Sequence, residues 1–299
     1  MKHFKGVLSI LLLITIFSFI ACSDSPGSDL DNSSNSDNSS EAGNNGGNNT
    51  TSAYIGTKAP TEAKAVGDIV FKDGSAMPYT DFIALDETAK NPKRFSAIAL
   101  IFYKGAGLNS GNDVTTSRTL GVGIKHNKNG LAWCTESADA YNINITSIQC
   151  PESTKLVFTG DKNGSNNLAQ IEEFEGVDDT DNTNAATNYP AFYFGKNYKD
   201  VYGSNVKGTD FETGWYLPSI AELAQIFACR TDSVNGFDID AVSLALGSDR
   251  FGSSIYWSST QDNSEKKWAC IFNFNYSDVE VAGKANTTNL YACCIRDFN

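Results

Sequence analysis

Apolar residues after position 65 fall mostly into short runs of strand length. Val66-Gly67-Asp68-Ile69-Val70-Phe71 leads into Lys72-Asp73-Gly74-Ser75, and Asp-Gly is a strong turn dipeptide, so this stretch predicts a strand entering a tight turn. Residues 97–103 (AIALIFY) form a continuous apolar run of strand length, and residues 119–124 and 131–134 continue the β pattern. The first half of the globular sequence therefore reads as mostly sheet.

Polar sequence follows from 159 to 188, rich in Asp, Asn, Gly and Thr, within which Leu168-Ala169-Gln170-Ile171 opens a short helix. Asp161, Asn163, Ser165 and Asn167 alternate as at the start of a calcium loop, but Asn166 stands where such loops need glycine, and a surface loop with side-chain-to-backbone turns is the favoured reading. Residues 189–202 carry Phe192, Tyr193, Phe194 and Tyr198 and read as a segment packed over the sheet. Ser219 and Glu222 then have capping-box spacing, with Leu223, Ile226 and Phe227 as an apolar stripe, and a second helix is expected from Asp238 or Asp240 to Leu246, stopped by Gly247.

Residues 256–299 alternate strand-like apolar runs with short polar side chains. Period-two alternation puts Trp268, Cys270, Phe272 and Phe274 on one face, expected to enter the core, with Ile271 an exception on the face of Asn273 and Asn275. The candidate ligand contacts are consequently Asn263, Ser264, Lys267, Asn273, Asn275, Tyr276, Asp278, Asn289 and Tyr291. Asn, Ser and Tyr make adaptable contacts when a rigid framework holds them.

The N-terminus changes the picture of where such a surface is offered. Lys2 and Lys5 precede an apolar run from 6 to 21 that is too short for a span of about 20 residues, so residues 1–21 read as a secretion signal. Phe19-Ile20-Ala21-Cys22 resembles the bacterial lipobox, which implies cleavage before Cys22 and lipidation of it; each buried methylene contributes roughly 0.8 kcal/mol of anchoring. Ser23 after that cysteine favours the outer membrane. Residues 22–53 form a Ser/Asn/Gly/Asp tether, too poor in apolar surface to order itself, and residues 54–299 form one domain.

Composition narrows the partners. The chain carries 23 basic and 35 acidic residues, net −12, and losing Lys2 and Lys5 makes the mature form more acidic still. Polyanions need clustered Lys and Arg, so nucleic acid is excluded as a partner, and the acidic balance argues against a sulfated polysaccharide unless Lys266, Lys267 and Lys284 form a local patch. No cofactor is implied, and the expected partners are an external protein or glycan and, through lipid, the membrane.

Catalytic chemistry finds little footing. His126, in His126-Asn127-Lys128-Asn129-Gly130, is the one histidine outside the signal and reads as a surface residue of a turn, which removes histidine triads and multi-histidine metal sites. Acidic residues are numerous (Glu172, Glu173, Glu175, Asp178, Asp179, Asp181), but no spacing selects a pair for glycoside hydrolysis. Besides Cys22 there are Cys134, Cys150, Cys229, Cys270, Cys293 and Cys294. The last two point to opposite faces if extended, and Cys270 beside Cys293 on adjacent strands is the pairing an oxidative enzyme would need. Buried small apolar residues are the alternative.

The succession Gly67-Asp68-Ile69-Val70, 97–103, Leu131-Ala132-Trp133-Cys134, Gly214-Trp215-Tyr216-Leu217-Pro218-Ser219 with Glu222-Leu223, Tyr256-Trp257-Ser258-Ser259-Thr260 and Cys294-Ile295-Arg296-Asp297-Phe298 resembles the Lcl C-terminal domain family of bacterial surface proteins. The resemblance implies an α+β, C-type lectin-like fold with a mostly antiparallel sheet and two helices, the last strands returning through the core, and Trp215, Leu217, Tyr256 and Trp257 as framework. It implies a non-enzymatic adhesin or receptor, of the kind some retroelements diversify. The formylglycine-generating enzymes, of similar fold, keep an oxidative enzyme open as an alternative, alongside a glycan hydrolase and a structural coat protein. The calcium-lectin triplets are missing: Trp268 is followed by Ala269 and Cys270, and no Glu-Pro-Asn or Gln-Pro-Asp occurs.

Overall fold

Apolar runs without alternation need sheets covered on both faces, and that is how this chain uses them. The structure, a computed structural model, describes residues 54–111, 113–146, 149, 158, 160, 162–175, 183–230 and 237–299. The signal, Cys22, the 22–53 tether, Cys150, Asp161, Asp178, Asp179 and Asp181 lie outside the described residues. In chain order the elements are β1 (Asp68–Phe71), β2 (Ala76–Pro78), α1 (Tyr79–Ala84), α2 (Glu87–Arg94), β3 (Ala97–Gly105), β4 (Arg118–Gly123), α3 (Gly164–Glu175), α4 (Thr183–Asn188) and α5 (Pro190–Lys196). Then come α6 (Ile220–Ala228), α7 (Ile239–Leu246), β5 (Ile255–Gln261), β6 (Trp268–Asn273), β7 (Asp278–Gly283), β8 (Leu290–Tyr291) and β9 (Ile295–Asp297).

Two sheets result: β2-β1-β3-β4-β9, antiparallel throughout, and β7-β6-β5-β8, antiparallel except for β8 beside β5. The fold class is α+β. β3 shows why its run is continuous, since Leu100 and Phe102 join one apolar cluster while Ile98 and Ile101 join another on the opposite face. The first cluster is closed by α6 and α7 through Ile220, Leu223, Ile226, Ile239 and Val242. The second is closed by α5 and by Trp133, Trp215 and Trp257. Phe192 stacks edge-on to Trp133 with centroids 4.8 Å apart, so the aromatic segment does pack over the sheet.

The helix signals are realised residue by residue. Ser219 Oγ accepts from the Glu222 N–H at 3.2 Å and Glu222 Oε2 from the Ser219 N–H at 2.8 Å, completing the capping box of α6. Asp238 caps α7, and Gly247 ends it in the left-handed region at φ 70°. Seven α-helices appear among the described residues where the resemblance implied two; the short helix expected at residues 168–171 is present as part of α3. The additional ones are short or polar; α2 buries no side chain and rests on its Asp86 cap and a Glu87–Arg94 pair, leaving no apolar period to read. Residues 131–134, expected as strand, are irregular, because they cross β5 and β8 rather than join a ladder: the Trp133 indole donates to the Ser258 carbonyl at 3.0 Å and Leu131 N–H to Leu290. Of the surface-loop reading at 161–167, the side-chain-to-backbone turn is present, with Asn163 Oδ1 accepting the Ser165 N–H at 3.0 Å, but the loop does not continue past it. Helix α3 already begins at Gly164, and Asn167 is buried, donating to Ser259 Oγ at 2.8 Å.

The final strands do return through the core. Residues 292–294 are fully buried as the chain passes from β8 to β9, with Cys293 in one cluster and Cys294 in the other. The two most legible motifs meet on the way: Ser259 N–H donates to the Pro218 carbonyl at 2.8 Å and Ile220 N–H to Thr260 Oγ1 at 3.0 Å.

Beneath this junction lies a buried ion pair. Glu222 Oε1 accepts from Arg118 Nη1 at 3.1 Å, while its Oε2 accepts the Ser219 and Gly164 N–H groups at 2.8 and 3.0 Å. Arg118 also donates to the Leu108 carbonyl at 2.6 Å and to Asp297 at 3.2 Å, tying β4 and β9 to α6 and α3. Burial works against the Arg118 charge, but Tyr216, Glu222 and Asp297 outweigh it and hold the guanidinium protonated. Glu222→Gln puts an amide where two donors or a guanidinium now point, and a broken buried pair costs about 3–5 kcal/mol. Urea unfolding is expected to show that loss; an unchanged midpoint would mean the pair does not hold the junction.

Candidate ligand-display surface

The antiparallel hairpins of the second sheet decide where the candidate contacts stand. β6 is central and buried on both faces, so Ile271 is no exception: Ala269 and Ile271 join one cluster, Cys270 and Phe272 the other. Its register, Trp268 opposite Gly283 and Asn273 opposite Asp278, sends the 262–267 loop to one end of the sheet and the 274–277 turn to the other. At about 3.3 Å per residue those ends are about 16 Å apart. Asn263, Ser264 and Lys267 are therefore separated from Asn275, Tyr276 and Asp278, and the nine candidates do not form one contact patch.

At the first end Asn263, Ser264 and Lys267 are exposed, although Ser264 Oγ is drawn to Asp262 at 2.6 Å, where it shapes the loop. Trp268 corrects an expectation. It was placed inward by alternation, yet it is 42% exposed, because it begins its strand and faces Gly283, beside which there is open space. It is an exposed aromatic that alternation alone hides. Lys284 is a second correction: instead of joining Lys266 and Lys267 it is fully buried, donating to the Ala140 carbonyl at 2.7 Å and lying 4.9 Å from the Trp133 ring centroid. Burial pulls its ammonium down to about 8, with Cys134 opposing. The exposed lysine patch is reduced to two.

At the other end the third correction falls on Asn273. It is buried, and its Oδ1 accepts the Asn275 and Tyr276 N–H groups at 3.0 and 3.3 Å while Nδ2 donates to Glu280 at 2.8 Å. It holds the turn instead of meeting a ligand. Ser277 completes the reversal in the left-handed region at φ 60°, and Tyr276 stands out with 73% of its surface exposed. Asn275 and Asp278 are exposed on the same turn. A cleft of about 510 Å³ opens beside it between Phe227, Arg230, Asp240, Phe274 and Asn275. Arg230 is fixed there, donating to Asp240 at 2.8 Å and to the Phe274 carbonyl at 2.5 Å. Asn289, exposed at φ 57°, and Tyr291, half-buried and edge-on to Tyr256, belong to the β8 edge.

The histidine and the cysteines among the described residues are turned inward. His126, expected at the surface, is buried: Nδ1 lies 2.8 Å from Tyr256 Oη, its ring packs on Phe251 at 4.6 Å, and its backbone N–H donates to Asp249. The turn around it exists, but Asn127 pairs with Ala292 and docks the segment onto the core. Cys134, Cys229, Cys270, Cys293 and Cys294 are all buried. Cys270 is on β6 and Cys293 follows β8, with β5 between those strands, so they are not on adjacent strands as expected. Burial raises the Cys293 and Cys294 thiols well above their ordinary range, away from thiolate chemistry.

No family model matches the chain, and no curated protein matches it. Among solved structures it is similar to a fimbrial protein from Bacteroides ovatus ATCC 8483, with 15% identity and a TM-score of 0.49, over 78% of this chain and 48% of that one. The chain thus spans about half the length of that protein, and likeness at this level speaks to neither ligand nor activity. Among the described residues no helix is long and apolar enough to cross a membrane.

Burial, opposed by Asp249, pulls the His126 imidazole down to about 3. An unfolded histidine takes its proton near pH 6.5. Between those values the unfolded chain binds a proton that the folded chain refuses, so His126 makes stability fall as pH drops from about 6.5 towards 3. Imidazole 15N NMR at pH 5 is expected to find His126 neutral; titration near 6.5 in the folded chain would contradict its burial.

Proposed function

We propose that this chain is a cell-surface lipoprotein whose 54–299 domain, of C-type lectin-like architecture related to the Lcl C-terminal family, binds an external protein or glycan as an adhesin or receptor. The observation that carries the reading is the β6–β7 turn, where an exposed tyrosine is presented by a backbone locked from beneath through Asn273. A loop ordered before binding loses less conformational entropy on contact, which is what a recognition surface gains from such a scaffold. Tyr276 offers an aromatic face, Asn275 and Asp278 offer polar groups, and the neighbouring cleft offers depth.

The inward commitment of His126 and the buried cysteines supports binding over catalysis, since these side chains serve packing and hydrogen bonding. Lipid on Cys22 and the tether over 22–53 would hold the domain clear of the headgroups. Because the turn is held mainly by Asn273 and by backbone groups, Asn275, Tyr276 and Asp278 are positions where replacement leaves the framework intact, a property that fits sequence diversification. A near-copy of the coding 3′ end beside a reverse-transcriptase gene would accompany such diversification.

The test is a glycan and extracellular-matrix array probed with the full chain, followed by titration of whatever it retains. Changing Asn275, Tyr276 and Asp278 together to Ala is expected to weaken binding at least tenfold, with near-UV circular dichroism unchanged. The same change at Asn263, Ser264 and Lys267 is expected to weaken it less. An array that retains nothing, or a folded turn variant that binds as well as the parent, would overturn the assignment.

A further inference from the structure

Away from both hairpin ends, a cleft of about 420 Å³ lies over the five-stranded sheet, between the 60–64 segment, the β1–β2 turn and the end of β9. Its distinguishing side chain is Arg296. The guanidinium lies beside a pair of rings that themselves touch, 4.8 Å from the Phe211 centroid and 5.6 Å from that of Phe298, with 5.7 Å between the two centroids. Its Nη1 is buried and has no hydrogen-bond partner. Most buried polar atoms are satisfied, and an unmatched charged donor calls for an explanation. Arg118 on neighbouring β4 shows the ordinary solution in this same sheet, with its guanidinium matched to Glu222 and Asp297. Arg296 makes no such ion pair: Asp297 and Asp210 support its charge from farther off, and the two rings orient the guanidinium from one side, leaving the other side for a planar oxyanion.

Two further cations line the cleft with donors to spare. Lys104 Nζ gives one bond, to the Lys64 carbonyl at 3.1 Å, and Lys64 Nζ gives one, to the Pro60 carbonyl at 3.2 Å. Four carboxylates line it as well, and three are directed at protein donors. Asp297 accepts from Arg118 and the Thr119 N–H, Asp73 from the Ile55 N–H and Ser75, and Glu62 from the Ala59 N–H. Asp210 is the fourth, close enough to Arg296 to support its charge without forming an ion pair within 4.0 Å. Three cations against four acids disfavour a dianion such as phosphate. They suit a ligand with a single negative charge whose hydroxyl groups can donate to Asp210 and Glu62. The Phe211 and Phe298 edges supply apolar contact for a ring.

We propose that this cleft binds a hydroxylated monocarboxylate of sugar-acid size, with Arg296 and Lys104 on the carboxylate and the acidic side chains on its hydroxyl groups. The site is independent of the β6–β7 turn, so an external ligand held there and an acid held here are separable.

Isothermal titration of the full chain with glucuronate, glucose and inorganic phosphate tests this. Glucuronate is expected to bind at least tenfold more tightly than either of the others. Arg296→Gln and, separately, the exposed Lys104→Gln are each expected to weaken it at least fivefold, while the triple alanine change at Asn275, Tyr276 and Asp278 leaves it unchanged. Arg296→Gln packs against the core and is read only if its circular dichroism matches the parent; Lys104→Gln supplies the answer otherwise. Absence of glucuronate binding, equal affinity for glucose, tighter binding of phosphate, or full affinity in a folded Lys104→Gln chain would each overturn the proposal.

Discussion

The buried contact between Arg118 and Glu222 is the constraint on which the arrangement of sheets and helices depends. A carboxylate removed from water needs its lone pairs filled, and Glu222 fills them from four directions: a guanidinium on β4, the Tyr216 hydroxyl at 3.3 Å, the Ser219 N–H that starts α6 and the Gly164 N–H that starts α3. None of these donors can move far without stranding the charge. The same guanidinium reaches Asp297 on β9, so the last strand, the first residue of β4 and two helix starts are fixed to one point. The capping box is therefore more than a local stop signal. Its Glu closes the N-terminus of α6 and serves as the counter-ion of the core.

From that point the two motif-bearing segments are brought into register. Pro218 and Ile220 meet Ser259 and Thr260 through backbone and hydroxyl groups, and the Trp257 and Trp133 indoles donate to the Leu131 and Ser258 carbonyls. Ser258, Ser259, Thr260 and Gln261 are all buried, an unusual run of polar side chains inside a strand, and their hydrogen bonds join β5 to its surroundings. The consequence is rigidity in the second sheet. β6, clamped on both faces, ends in a turn whose geometry is set by Asn273 underneath and whose exposed side chains contribute little to the fold.

Much of the architecture was legible in the sequence because local physics wrote it. The Asp73-Gly74 turn, the unbroken apolar run of β3, the Ser219–Glu222 box, Asp238 and Gly247 around α7, and the opposite facing of Cys293 and Cys294 each follow from rules that act over a few residues. The short helices α2 and α4 were not legible, since their polar sequences lack an apolar period. Trp268 was misplaced because alternation assumes a strand flanked along its whole length, and it sits at a strand end. Asn273, Lys284 and His126 were misplaced for a shared reason: polar identity suggests water, and only the packing of distant segments provides the carbonyls, amides and hydroxyl that satisfy them inside.

The sequence by itself determined the sheet-forming runs, the start of α6 and both ends of α7, the acidic balance of the chain, and the residue types offered near the C-terminus. Tertiary structure decided which of those residues share a surface. Antiparallel pairing carried the 262–267 loop and the β6–β7 turn to opposite ends of a sheet, and the return of the chain to β9 placed Arg296 against Phe211 and Phe298, rings 87 positions apart in the sequence. Periodicity reports which side of an element a residue occupies. Which elements come together, and which charges then find partners, depends on contacts between residues far apart along the chain.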